Sequence, residues 1–171
     1  DEVNKGNSVV CVVSAQGKTT DKLVNLAKEY IGEAVSKCNK EMDMLLSTGE
    51  LQTVSLLTMV LKAKGYDAVG FTGSMAGIIT DNNYSNAKIL SIVPTNIMNS
   101  LNDGNIVIVA GLQGIDKFGN ITTLGRGGSD LSAVAIAAAI NAEKCEIYTD
   151  VDGVYTSDPN VIKSAKLIEK I

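Results

Sequence analysis

The residues best suited to chemistry lie between Leu124 and Ala142, where Leu-Gly-Arg-Gly-Gly-Ser-Asp runs straight into an alanine-rich apolar segment. Gly125, Gly127 and Gly128 flank a single arginine. A backbone without Cβ atoms bends tightly and can aim several N–H groups at one anion. Arg126 adds a planar, permanently charged fork that matches carboxylate or phosphate. Ser129 or Asp130 is placed to cap a helix over Leu131 to Ile140. A helix N-terminus behind a glycine-rich loop is a natural site for an anion. The indicated chemistry is the handling of anionic substrate groups in phosphoryl transfer.

The chain contains no histidine. That excludes a histidine triad, a histidine metal site and imidazole acid–base chemistry. Phosphoryl transfer to an acceptor that is already ionised needs none of these, because positioning and charge neutralisation dominate it. Glu50 is the second residue of interest. It lies four positions before Val54, on the helical face that Val54, Leu57 and Leu61 turn toward the core. A carboxylate there is costly unless a cation meets it. Either it receives a substrate ammonium group, or it is a first-turn glutamate favoured by the helix dipole.

The elements that must position these groups alternate. Ser8 to Ser14 reads as a buried strand, followed by a polar loop at 15–21 and a helix to about Cys38. Glu41 to Lys64 reads as helix, broken or tightened around Ser47-Thr48-Gly49 and closed by Gly65. Ala68 to Thr72 and Ile106 to Ala110 are buried strands, and Lys88 to Ile92 is a further strand. Gly73 to Asn86 is a polar excursion, Pro94 to Leu101 a short helix, and Gly111 to Gly114 a loop at a strand's C-terminal end. Asp116 to Thr123 is a small hairpin turning at Phe118-Gly119-Asn120. Cys145 to Thr149 completes the pattern as a strand. This alternation predicts an α/β fold: a three-layer α/β/α sandwich with a mainly parallel sheet covered on both faces. Ligands of such sheets bind at the C-terminal ends of strands.

At 171 residues and 45% apolar, the chain fits one domain or part of a larger one. A net charge of -4 with no basic run argues against nucleic acid as a partner. No continuous apolar run reaches the ~18 residues of a membrane span. Cys11, Cys38 and Cys145 form no CxxC. They read as buried, reduced thiols of a cytoplasmic protein. Three tempting motifs fail. Gly17-Lys18-Thr19 lacks the P-loop's leading glycine, since position 12 is Val12. Asp150-Val151-Asp152-Gly153 places Val154 where a calcium loop needs a ligand, so no metal site is assigned. The Gly125-Gly127 pair is followed by Asp130 where a dinucleotide fingerprint needs its third glycine.

Taken in order, the motifs resemble the amino-acid kinase domain of bacterial aspartokinases. The matching pieces are Val-Val-Ser-Ala-Gln-Gly-Lys-Thr-Thr-Asp at 12–21, Leu-Leu-Ser-Thr-Gly-Glu at 45–50 and Thr-Gly-Ser-Met-Ala-Gly-Ile-Ile-Thr-Asp at 72–81. Gly-Leu-Gln-Gly at 111–114, Thr-Thr-Leu-Gly-Arg-Gly-Gly-Ser-Asp at 122–130 and Tyr-Thr-Asp-Val-Asp-Gly-Val-Tyr-Thr-Ser-Asp-Pro at 148–159 complete the set. The resemblance implies ATP- and Mg2+-dependent phosphorylation of the side-chain carboxylate of L-aspartate, giving 4-phospho-L-aspartate and ADP. That is the entry step toward lysine, threonine and methionine. It further implies that Arg126 binds the substrate's α-carboxylate and Glu50 its α-ammonium. Thr20 and Ser129 would add hydrogen bonds beside Gly127 and Gly128, and Asp130 would organise the catalytic centre with Arg126. Tyr148, Thr149, Asp150, Tyr155 and Asp158 would contact or border the nucleotide, with Ser14 near the phosphates. A cytoplasmic homo-oligomer, at least a dimer, is expected on the same ground.

The sequence also departs from the family pattern. The family's opening strand, with its Lys-Phe/Tyr-Gly-Gly motif, is not found before Asp1. A downstream lysine and the regulatory ACT domains are not found after Ile171. Asn160 stands where many relatives carry an arginine. The expectation is a partial catalytic domain over 1–171, weak or inactive alone. The rival readings are another amino-acid kinase, such as one acting on glutamate or acetylglutamate, and a non-catalytic module with the same fold.

Overall fold

The computed structural model describes residues 2–149, 153, 155–157 and 162–168. Its centre is a parallel sheet of β1 (Val10–Val13), β5 (Ile106–Ala110) and β2 (Ala68–Phe71), in the order β1-β5-β2. Every residue of β5 is buried, which is why its sequence is a run of Ile and Val rather than an alternation. Its side chains divide between two cores. Val107 and Val109 pack with Phe71, Ile97 and Ile136 on one face. Ile106, Ile108 and Ala110 pack with Val54, Leu57 and Leu61 on the other.

Helices cover both faces. On one side lies α2 (Asn39–Ala63), backed by α1 (Thr19–Ile31). On the other lie α3 (Thr95–Asn102) and α4 (Gly128–Ala139). The expected α/β fold with a mainly parallel central sheet is present. A second sheet joins it, built of β3 (Ile78–Thr80), β4 (Ile89–Ile92), β6 (Gln113–Ile115) and β7 (Ile121–Thr123) in the order β4-β3-β6-β7. Here β3 and β6 run parallel, while β3–β4 and β6–β7 are antiparallel.

Several local expectations are corrected. The helix α2 is unbroken through Ser47-Thr48-Gly49. Gly49 is there for closeness, because a Cβ on it would stand 2.9 Å from the Ala15 Cβ. The polar excursion at 73–86 contains β3, and the loop at 111–114 contains most of β6. Both strands are too short for their alternation to register. The helix α4 begins at Gly128, with Gly127 at its cap in the left-handed conformation (φ 73°) and no side-chain cap. Ser129 and Asp130 therefore lie inside the first turn and do not cap it. Residues 145–149 form no strand. An apolar run becomes a strand only where a sheet edge receives it, and this one lies exposed. Cys145 is accordingly exposed rather than buried, and Cys11 and Cys38 are half-buried. Burial pushes the Cys11 thiol upward.

One expectation about length also changes. By length and composition α2 is apolar enough to cross a membrane, with a mean hydropathy of 1.3 over its best window. Its small polar residues hide this from a search for continuous apolar runs. In the fold it packs Val54, Leu57 and Leu61 on the sheet and buries Asp43 and Glu50, while Met44, Leu56, Met59 and Val60 on its other side are exposed.

Candidate active site

The C-terminal ends of β1 and β5 open into a cleft of about 250 Å³. The chain leaving β1 supplies Ser14 and Ala15, and the start of α1 supplies Thr20. Glu50 enters from the middle of α2, and Leu112 from the end of β5. The opposite wall is the start of α4, with Gly127, Gly128, Ser129 and Asp130. Seven of the residues singled out in the sequence thus meet in one place, although they come from three separate stretches of chain. Ala15 and Leu112 were not singled out.

Glycines set the closeness of these walls. A Cβ at Gly111 would lie 2.9 Å from both Cβ and Oγ of Ser129, and one at Gly128 would lie 2.7 Å from Leu112. Leu112 itself holds φ at 65°, a conformation that is costly for a side chain of its size. Its carbonyl accepts the Leu124 N–H at 2.8 Å, which fastens the end of β5 to the entry of the glycine-rich loop.

At the other wall, the Gly128 N–H bonds to the Gly125 carbonyl and the Leu131 N–H to that of Gly127. The N–H groups of Ser129 and Asp130 find no backbone acceptor among the described residues. Two donors at a helix N-terminus are therefore left for a ligand. Asp130, in the first turn, also suits the positive end of the helix dipole.

Glu50 is 2% exposed. The Ala15 N–H donates to its Oε1 at 3.1 Å. Its Oε2 is buried and has no hydrogen-bond partner, and no salt bridge reaches it among the described residues. Burial raises its pKa, partly offset by its own backbone N–H and that of Ala15. The dipole explanation of this residue fails, because Glu50 sits mid-helix in α2.

Not all expected site residues converge. Arg126 adjoins Gly127 but is exposed and does not line the cleft. Tyr148 is 88% exposed and its hydroxyl donates to Glu146. Thr149 is also exposed, and Tyr155 forms a bridge with Leu167. None of these three lines the cleft. Asp150, Asp158 and Asn160 lie outside the described residues.

A second buried acid went unremarked in the sequence. Asp43 is wholly buried, two helical turns before Glu50 on the same face of α2. Its carboxylate accepts the N–H and Oγ of Thr123, at 2.8 and 2.7 Å. It also accepts the N–H of Ser85 at 2.9 and 3.0 Å and the Ser85 Oγ at 3.3 Å. The signal available in the sequence was the stripe Asp43, Ser47, Glu50, Val54, in which acids occupy core positions.

The chain as a whole is similar to known proteins. The profile of the amino acid kinase family matches residues 1–171. The chain is 57% identical over 171 residues to an aspartokinase of Bacillus sp. (strain MGA3), covering 100% of this chain and 41% of that protein. It is 56% identical over 170 residues to aspartokinase 2 of Bacillus subtilis (strain 168), covering 99% and 41% respectively. Among solved structures, E. coli aspartokinase III in complex with aspartate and ADP superposes with a TM-score of 0.80 at 26% identity. That match covers 98% of this chain and 48% of the other. The aspartate kinase from Synechocystis matches at 47% identity and a TM-score of 0.74, covering 99% of this chain and 27% of that one. The chain thus spans less than half the length of these relatives.

Proposed function

Because the chain belongs to the amino acid kinase family, we propose that it carries the aspartate-holding part of an ATP-dependent aspartate kinase. The observation that carries this reading is Glu50. A buried carboxylate with one oxygen anchored and the other unpartnered, inside a cleft, is a receptor for a cation. An amino acid's ammonium group has the right charge and three donors.

The rest of the cleft suits the remainder of such a substrate. Arg126 takes the α-carboxylate at the loop, and the Thr20 and Ser129 hydroxyls add hydrogen bonds. The free N–H groups of Ser129 and Asp130 face developing negative charge at the helix start. Ser14 borders the phosphates. The reaction joins a side-chain carboxylate oxygen of L-aspartate to the γ-phosphorus of ATP, while the bond from that phosphorus to the β-phosphate's bridging oxygen breaks. The products are 4-phospho-L-aspartate and ADP. The acceptor is ionised beforehand, so no protein base is required, in keeping with a chain that has no histidine.

Among the described residues no cluster of three or more His, Cys, Asp or Glu could hold a metal ion. Mg2+ would arrive on the nucleotide's phosphates, its common mode of binding, where it would neutralise charge. Nucleotide contact by Tyr148, Thr149, Asp150, Tyr155 and Asp158 rests on the sequence resemblance alone. A cytoplasmic homo-oligomer feeding lysine, threonine and methionine synthesis belongs to the same reading.

The test is ADP release by the full-length protein with Mg-ATP, comparing L-aspartate with L-glutamate. Release that depends on aspartate supports the assignment. Release with glutamate alone keeps the fold and discards the substrate. No release from a folded, nucleotide-binding protein overturns the enzymatic reading.

A further inference from the structure

The two buried acids of α2 are used in opposite ways. Glu50 keeps an oxygen unpartnered. Asp43 is surrounded by four donors of its own chain, two from Ser85 and two from Thr123. Thr123 is the last residue of β7, three positions before Arg126. Ser85 adjoins the same loop from the other side, since a Cβ on Gly125 would lie 3.2 Å from the Ser85 carbonyl oxygen and 2.9 Å from Asn86 Oδ1. Ser85 holds φ at 67°, a left-handed conformation that turns both its N–H and its hydroxyl onto Asp43. The Ala87 N–H then bonds to the Thr123 carbonyl at 2.8 Å.

We propose that Asp43 is a positioning residue for the anion-binding loop. Its carboxylate ties the helix that carries Glu50 to β7 and to Ser85, and so fixes Gly125 and Arg126 relative to Glu50. Asp43 does not line the cleft and acts only through these neighbours. A carboxylate fits this place because it is acceptor-only, whereas an amide would turn an NH2 toward backbone donors. The kinetic consequence rests on reading the cleft as an aspartate site. The structural consequence does not.

The experiment compares full-length wild type with Asp43→Asn and Thr123→Val, using Ile97→Val in α3 as a destabilised control. Amide hydrogen exchange at 124–128 is read beside the KM for aspartate, the KM for ATP and the melting temperature. Asp43→Asn is expected to speed exchange at 124–128 by about tenfold relative to α3. It should raise the KM for aspartate by about tenfold, with the KM for ATP changed by less than about twofold. Thr123→Val should move the same quantities in the same direction by a smaller factor. Ile97→Val should lower the melting temperature without this pattern. A uniform rise in exchange with unaltered aspartate KM overturns the proposal. If Asp43→Asn does not fold, Thr123→Val decides by the same criteria. A wild-type protein that does not turn over aspartate overturns the functional reading alone, and the exchange pattern then judges Asp43.

Discussion

Ala15 donates its backbone N–H to Glu50 Oε1 at 3.1 Å, and the absence of a side chain at Gly49 is what lets the loop after β1 come so near α2. One oxygen of the carboxylate is thereby fixed, and the other is left to the cleft. A group held this way contributes to ligand binding at the expense of the empty fold.

Glu50→Gln tests that division of roles. Burial raises the carboxyl's pKa, so its ionisation destabilises the empty protein as pH climbs from the unfolded value of about 4.3 through the higher folded value. The amide removes that cost. Its melting temperature at pH 7 is expected to equal or exceed wild type. The KM for aspartate should rise by roughly 10- to 150-fold, the equivalent of losing a charge-assisted contact of about 1.5–3 kcal/mol. In wild type the aspartate KM should also increase as pH falls through the raised pKa, and the amide variant should show a flatter profile. A lower melting temperature with unaltered KM would leave Glu50 as a packing residue.

Arg126→Ala separates the two substrates. The side chain is exposed, so the fold should tolerate its loss. Removing a preorganised partner of the reacting substrate costs about 2.7–4 kcal/mol, or a factor of roughly 10²–10³ in rate. The aspartate dependence should carry the larger share and the ATP dependence little. An unchanged aspartate response removes Arg126 from the site.

Gly111→Ala tests closeness without touching any polar group. The new methyl would meet Ser129 at 2.9 Å and displace the first turn of α4. A stability loss of about 1–3 kcal/mol should accompany a marked fall in activity. Gly119→Ala provides the contrast. Its φ is positive, at 85°, but a Cβ there meets nothing, so strain of about 1–2 kcal/mol should appear in a melting curve and leave turnover unaffected. Equal activity losses in the two variants would contradict the steric account.

The turn of the β6–β7 hairpin carries an acid-sensitive contact. Burial acts to raise the Asp116 pKa, but hydrogen bonds from the Asn120 side chain and backbone, the Tyr84 hydroxyl and the Phe118 N–H outweigh it and hold the carboxyl at about 2. Its stabilisation is present above the unfolded value of about 3.9 and is lost as pH falls through about 2. Tyr84→Phe removes one donor. With its folded pKa moved back toward the unfolded value, the variant should be less stable than wild type above about pH 6, lose less stability on acidification, and converge with wild type near the acid end of the titration. Superimposable titration curves would exclude this role.

How much of this was legible in the sequence depended on length and repetition. The strand β5 announced itself through five consecutive apolar residues, and α2 through the helical spacing of Val54, Leu57 and Leu61. The strands β3 and β6 did not, because three residues cannot display an alternation and their neighbours are loops. In the site, the glycine-rich loop and Glu50 were visible as residue types in unusual places. Asp43 was not, because its partners Ser85 and Thr123 lie 42 and 80 positions away, and only folding brings them together. The run at 145–149 shows the reverse error, a strand-like pattern without a sheet edge to receive it.

The strand order β1-β5-β2 bears on how the chain is born. Neither β1 nor β2 pairs with the other, and each requires β5. On the ribosome, β1 and β2 emerge before the strand that pairs with both of them. Sheet assembly must wait until Ala110 has left the exit tunnel. Pairings of such sequence separation form slowly and leave sticky surface exposed meanwhile. The strand that ultimately supplies both cores is thus also the latest of the three to be synthesised, and nascent-chain chaperones would find their clearest work on this protein before it appears.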